Sequence, residues 1–102
     1  MLATFTILPL AKSGESISPI IAKVVKTVND SGLDYKLTSM GTMVEGDWDE
    51  VMAVIKKCHN LVKRLTPRVY TTIAIDDRKG AKKRLEGKVE SVKKKVKFEV
   101  RT

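Results

Sequence analysis

The sequence predicts an α+β domain, and three observations carry the prediction. Apolar residues alternate with period two in several short runs, recur every three or four positions in longer ones, and the two patterns follow one another with turn residues between them.

The first run, MLATFTILPLA, reads as a strand with Ala3, Phe5 and Ile7 on one face and Thr4, Thr6 and Leu8 on the other. Ser18-Pro19 then reads as a helix start, the serine hydroxyl accepting from orphan amides and the proline suiting the first helical position. Ile17, Ile20, Ile21, Val24, Val25 and Val28 make its apolar stripe, which ends at Asn29-Asp30-Ser31-Gly32. DYKLTSMG and TMVEG read as two strands joined tightly near Met40 and Gly41. Asp47, with Glu50 three residues on, forms a capping box before Trp48, Val51, Met52, Ile55, His59 and Val62 at helical spacing. That helix must stop before Thr66-Pro67, since a residue preceding proline is pushed out of the helical region. RVYTTIAID is the last strand.

Strand, helix, strand, strand, helix, strand is the order of a ferredoxin-like βαββαβ sandwich. Beyond Asp77-Arg78-Lys79-Gly80 an additional C-terminal helix is predicted, with a narrow stripe of Leu85, Val89, Val92 and Val96, and VKFEV at 96–100 could add a fifth strand. Residues 1–80 are read as the body and residues 81–102 as a basic helix and tail of the same domain.

Composition limits the function classes. The chain has 102 residues, 42% hydrophobic and 31% charged, which describes one folded domain rather than a disordered segment. No apolar run approaches the ~20 residues of a membrane span. One cysteine, Cys58, allows no internal disulfide, and Thr4, Thr6 and Pro9 interrupt the start as a signal sequence would not be interrupted; a cytoplasmic location is expected. The net charge of +8 is unevenly placed. Residues 79–102 hold ten Lys or Arg against three Glu, whereas residues 1–78 are close to balance with ten against nine. The excess therefore describes the terminal segment, and a solvated Lys-rich helix explains it more simply than nucleic-acid binding, for which Tyr70 is the one aromatic on the last strand.

Candidate chemistries fall away in turn. GTMVEG has the glycine spacing of a phosphate loop, but Gly46 is followed by Asp47-Trp48 where Lys and Ser or Thr are required. Cys58 and His59 are helix neighbours that diverge by about 100°. Asp76 and Asp77 alternate across a strand, and one Cys with one His makes no metal cluster. No catalytic residue, metal or cofactor is assigned.

What remains is a hairpin with Thr38, Met40, Thr42 and Glu45, the Ser16-Ile17-Ser18 helix entrance, and a sheet face bearing Thr4, Thr6, Tyr70, Thr72 and Ala74 where an open face would carry alternating charges. Val69, Thr71, Ile73 and Ile75 are the expected core side of the last strand. An uncharged outer face suits a subunit interface with hydroxyls left for a small ligand, although threonine is also simply a good strand former. Glu45 is costly to bury without a cation or strong donors. It could meet an aminopyrimidine or a cationic heterocycle beside the hydroxyls of Thr42, Ser18 and Thr72, or it could pair with Arg68 or Arg78.

The run YKLTSMGTMVEGDWDEVMAVIKKCH, with RVYTTIAIDDR and ILPLAKSGESIS, resembles the thiamine-binding protein family over about residues 1–96. The most specific parts are T-x-M-G-T-x-x-E-G and R-V-x-T-x-I-x-I-D-x-R. The resemblance implies a cytosolic homo-oligomer, typically a tetramer, that binds thiamine or its hydroxymethylpyrimidine portion without catalysing a reaction. It carries Thr38, Met40, Thr42 and Glu45 over as hairpin residues, Ser18 as the helix entrance, and Arg68, Thr72, Asp76 and Arg78 as last-strand residues. The loop L-A-K-S-G departs from members that have a glycine soon after the proline. A nucleic-acid-binding module using the basic C-terminal helix and an enzyme with a site between subunits are the alternatives.

Overall fold

A computed structural model describes residues 1–10, 17–80 and 82–102. The elements are β1 (Leu2–Pro9), α1 (Ser18–Asp30), β2 (Asp34–Thr38), β3 (Gly41–Glu45), α2 (Trp48–Leu65), β4 (Val69–Asp76) and α3 (Arg84–Lys95). The strands form one antiparallel sheet in the order β2-β3-β1-β4, the ferredoxin-like arrangement. Ser16 and residues 11–14 of the L-A-K-S-G departure lie outside the described residues.

Two-residue alternation sends Ala3, Phe5 and Ile7 of β1 and Val44 of β3 into the helix-covered side, where Val24 and Val28 of α1 and Val51, Ile55, Cys58 and Val62 of α2 meet them. Each fully buried valine of this cluster contributes roughly 1.5–3 kcal/mol of transfer free energy. Helix α2 starts where the capping box requires. The Asp47 carboxylate accepts from the Glu50 amide at 2.9 Å, the Glu50 carboxylate accepts from the Asp47 amide at 3.4 Å, and the helix ends at Leu65 before Thr66-Pro67. A two-residue turn, Ser39-Met40, joins β2 to β3.

Several expectations are corrected. Helix α1 begins at Ser18 itself, with Ile17 in the capping position, so the serine is a first-turn residue and Pro19 follows it. Trp48 is exposed rather than part of the α2 stripe, whose buried set gains Val54 and Cys58. Ile73 and Ile75 lie opposite Phe5 and Ala3, on the core side as expected, yet stay 40% and 39% exposed because β4 is an edge strand that the helices cover incompletely. Residues 96–100 form no strand, and in α3 Leu85 is buried whereas Val92 is 53% exposed, so the predicted stripe is only half used. Among the described residues no helix is long and apolar enough to cross a membrane.

Candidate functional site

Strand β1 is longer than the partner on its inner side. It pairs with β4 along its whole length, Leu2 to Pro9, but with β3 only from Leu2 to Phe5, because the hairpin turns back at Ser39-Met40. Beyond Phe5 the sheet has a notch. Just beyond the two ends of β1 the Leu10 amide donates to the Arg68 carbonyl on the β4 side and the Met1 carbonyl accepts from Gly46 on the β3 side, which sets the alternation. The backbone N–H and C=O of Ile7 therefore point toward the notch. Pro9 points the same way, a tolerable place for a residue that has no N–H to pair.

Three features close the notch into a cleft of about 360 Å³. The hairpin tip folds onto β1, where the Thr6 hydroxyl donates to the Met40 carbonyl at 2.9 Å. The Thr38 hydroxyl braces the tip by donating to the Gly41 carbonyl at 2.8 Å and accepting from the Met40 amide at 3.3 Å. Ile17 and Ile21 of α1 line the opposite wall. Gly41 is required by this approach, since a Cβ there would lie 2.7 Å from Thr6 Oγ1 and 2.8 Å from the Phe5 carbonyl oxygen. Thr42 lines the floor on the helix side of the sheet; it is only 5% exposed, and among the described residues its hydroxyl has no hydrogen-bond partner. No charged side chain lines this cleft among the described residues.

The structure thus brings Thr38, Met40 and Thr42 together and leaves Ser18, Glu45 and Thr72 outside the lining. Glu45 stands apart from the cleft residues. It lies three positions after Thr42 along one strand, an odd offset, so the two side chains leave opposite faces of the sheet. Its carboxylate is already engaged, accepting from the backbone amides of Arg84 at 2.8 Å and Leu85 at 3.1 Å. These are orphan donors of the first turn of α3, whose own capping residue, Lys83, is left-handed and offers no side-chain cap. A glutamate 39 residues upstream does the capping instead, and its charge complements the positive end of the helix dipole.

Asp76 completes the α3 attachment. It bonds the Arg84 guanidinium at 2.5 Å and the Lys88 ammonium at 2.9 Å, and these two contacts, Arg84 first, hold its carboxyl well below the usual carboxylate range. Leu2 pairs with Glu45 on one side and Asp76 on the other, so both carboxylates flank one apolar residue at the end of the outer face. Arg84 and Leu85 were invisible as site residues because nothing local marks them as partners of the hairpin.

Thr72 pairs with Thr6 on the outer face, and Thr4, Thr72 and Ala74 are exposed there with Tyr70 at the strand start. Arg68 serves through its backbone, its carbonyl accepting from Leu10 and from the Thr66 hydroxyl; Arg78 lies past the end of β4. On the other face a hydrogen bond of 2.7 Å joins His59 Nδ1 to Thr71 Oγ1, linking α2 to the edge strand. Burial pushes the Cys58 thiol up to about 11. No group of three or more His, Cys, Asp or Glu side chains that could hold a metal occurs among the described residues.

Against known proteins, a family model described as thiamine-binding protein matches residues 3–93. A UPF0045 protein of Methanothermobacter thermautotrophicus is 40% identical over 96 residues, spanning 92% of this chain and 97% of the relative. The UPF0045 protein YqgV of Bacillus subtilis is 37% identical over 98 residues, spanning 91% and 94%. Among solved structures, the hypothetical protein MJ1052 of Methanocaldococcus jannaschii superimposes with a TM-score of 0.81 at 32% identity, over 89% of this chain and 93% of that one. A Thermotoga maritima protein, whose name places it provisionally in thiamine biosynthesis or salvage, shares the fold with a TM-score of 0.78 at 21% identity, over 89% and 96%. Neither the family's description nor these relatives' names carry a reaction.

Proposed function

The chain belongs to the thiamine-binding protein family, and on that premise we propose that it is a non-catalytic binding protein for thiamine or its hydroxymethylpyrimidine portion, with the pyrimidine seated in the notch beside β1. The observation that carries the reading is the edge of β1 at Ile7, unpaired among the described residues, facing a cleft with the Thr42 hydroxyl at its floor. An aminopyrimidine presents a donor and an acceptor side by side on one ring edge. A strand edge presents the complementary pair, so the ring can take the place of the missing β3 residues.

Among the described residues the lining is uncharged, and this favours entry of the neutral part of the molecule. A thiazolium cation transferred into a cleft walled by Ile17, Ile21 and Leu37 would lose hydration without gaining a counter-charge from the described residues. The neutral pyrimidine is therefore the inserted portion, and the thiazolium stays at the mouth. Thr38 and Met40 act by shaping the rim, Thr42 by direct hydrogen bonding. Glu45 serves α3.

The same reading makes the protein a cytoplasmic homotetramer whose uncharged outer face, around Thr4, Thr72 and Ala74, is covered by another subunit, and treats the C-terminal helix as part of one folding unit with the body. Calorimetry with thiamine and with hydroxymethylpyrimidine tests the ligand. Saturable heat for both, lowered by Thr42→Val without a change in thermal stability, is the expected result; absence of heat for both would end the proposal. Light scattering tests the assembly, with Thr72→Lys expected to shift it toward smaller species.

A further inference from the structure

A second cleft, separate from the notch, opens between the two helices on the side away from the outer face. It has a volume of about 580 Å³, within the range of small-molecule sites, and is lined from α1 by Thr27, Asp30 and Ser31 and from α2 by residues between Ala53 and Arg64. Its charge is distinctive for a body that is close to neutral. Lys56, Lys57 and Arg64 line it, and none of the three has an ion-pair partner among the described residues. The one carboxylate in the lining, Asp30, is occupied by Lys26 at 2.8 Å. Asn60 sits between the cations in sequence, and Ala53, Val54 and Leu61 supply an apolar floor.

From this combination we propose that the α1–α2 cleft is a binding site for a small organic phosphate, a molecule with a phosphorylated end and a flat apolar body. Eight residues from Lys56 to Arg64 span about 12 Å along the helix axis. Guanidinium and ammonium groups within that distance can share one diphosphate, the guanidinium as a fork and the ammonium groups as point charges. Asn60 adds a neutral donor, and the ring or chain of the ligand covers Ala53 and Leu61. A nucleic acid is the poorer fit, since binding a duplex draws on about six to ten phosphate contacts along a continuous basic track, whereas three cations here line a concavity.

The site does not depend on the notch, and the two can be tested in one preparation. Amide chemical shifts of the full chain are followed by NMR during titration with ADP and, separately, with inorganic pyrophosphate. Saturable shifts confined to residues 27–31 and 53–64 are expected, with ADP bound more tightly than pyrophosphate because its base covers the apolar floor. Lys56, Arg64 and Ala53 are all exposed, so Lys56→Gln with Arg64→Gln, and separately Ala53→Glu, leave the fold intact. Each is expected to weaken ADP by about tenfold or more. No saturation with either probe, equal affinity for both, shifts centred on Lys93–Lys95, or ADP binding unaltered by both variants would overturn the assignment. Thiamine-induced shifts at the hairpin report on the notch independently.

Discussion

Replacing Glu45 by alanine separates two roles that one carboxylate could play. The side chain accepts from the Arg84 and Leu85 amides at 2.8 and 3.1 Å, at a helix start with no other side-chain cap. Loss of a helix cap costs about 1 kcal/mol, and loss of the charge beside the helix dipole adds about 0.3–1 kcal/mol. Because Glu45 is half-buried, water replaces part of what is lost, and the sum is about 1–2 kcal/mol. If α3 opens locally, that corresponds to roughly 5- to 30-fold faster amide exchange over its first turns. Hydrogen exchange read by mass spectrometry should show this acceleration in residues 84–92, with the α2 core unchanged. Calorimetry on the same variant should show pyrimidine binding preserved. The opposite pattern, α3 protection intact and ligand affinity lost, would mean that Glu45 faces the ligand and that its contact with α3 is incidental.

Other substitutions probe the notch and the attachment. Gly41→Ala forces a Cβ to within 3 Å of Thr6 Oγ1 and the Phe5 carbonyl, at a φ of 154°; a loss of about 1–3 kcal/mol in chemical denaturation and a larger proportional loss of ligand binding are expected. Thr42→Val keeps the shape and removes the hydroxyl, so ligand affinity should fall by about 1 kcal/mol, roughly fivefold in calorimetry, while the melting temperature holds. Asp76 has a carboxyl held below its ordinary value, first by Arg84 and then by Lys88, so its contribution is fully present above about pH 3.9 and is lost as pH falls below that. Asp76→Asn should flatten the acid limb of the stability profile, read by circular dichroism. Cys58, raised to about 11, contributes the reverse dependence: its share of stability is complete below the ordinary thiol value of about 8.5 and declines as pH rises from there through 11, a slope that Cys58→Ala should remove from the alkaline limb.

The legibility of this molecule in its letters followed distance along the chain. Asp47 and Glu50 lie one helical turn apart, and their capping box could be read directly; the stop at Thr66-Pro67 was equally local. Alternation placed Ala3, Phe5 and Ile7 against Thr4, Thr6 and Leu8 correctly. The same alternation separates Thr42 from Glu45, but grouping them as one polar hairpin hid their parity. Half-exposure of Ile73 and Ile75 is a consequence of strand order, which periodicity does not contain. The notch depends on β1 outrunning β3, a difference in length between two elements 39 residues apart in their starts. Capping of α3 by Glu45 was the least accessible feature, since neither partner carries a local signal of the other.

The attachment of α3 also has a kinetic meaning. Its first turn needs a carboxylate from β3 and one from β4, and those two strands are brought together only by pairing on either side of β1. Before the two pairings of β1 exist, the helix does not have both its cap and its counter-charge, and twelve residues rich in lysine are too short to persist alone. The C-terminal helix is accordingly expected to gain protection in a refolding time course no earlier than β1, β3 and β4, an order that pulsed hydrogen exchange would check.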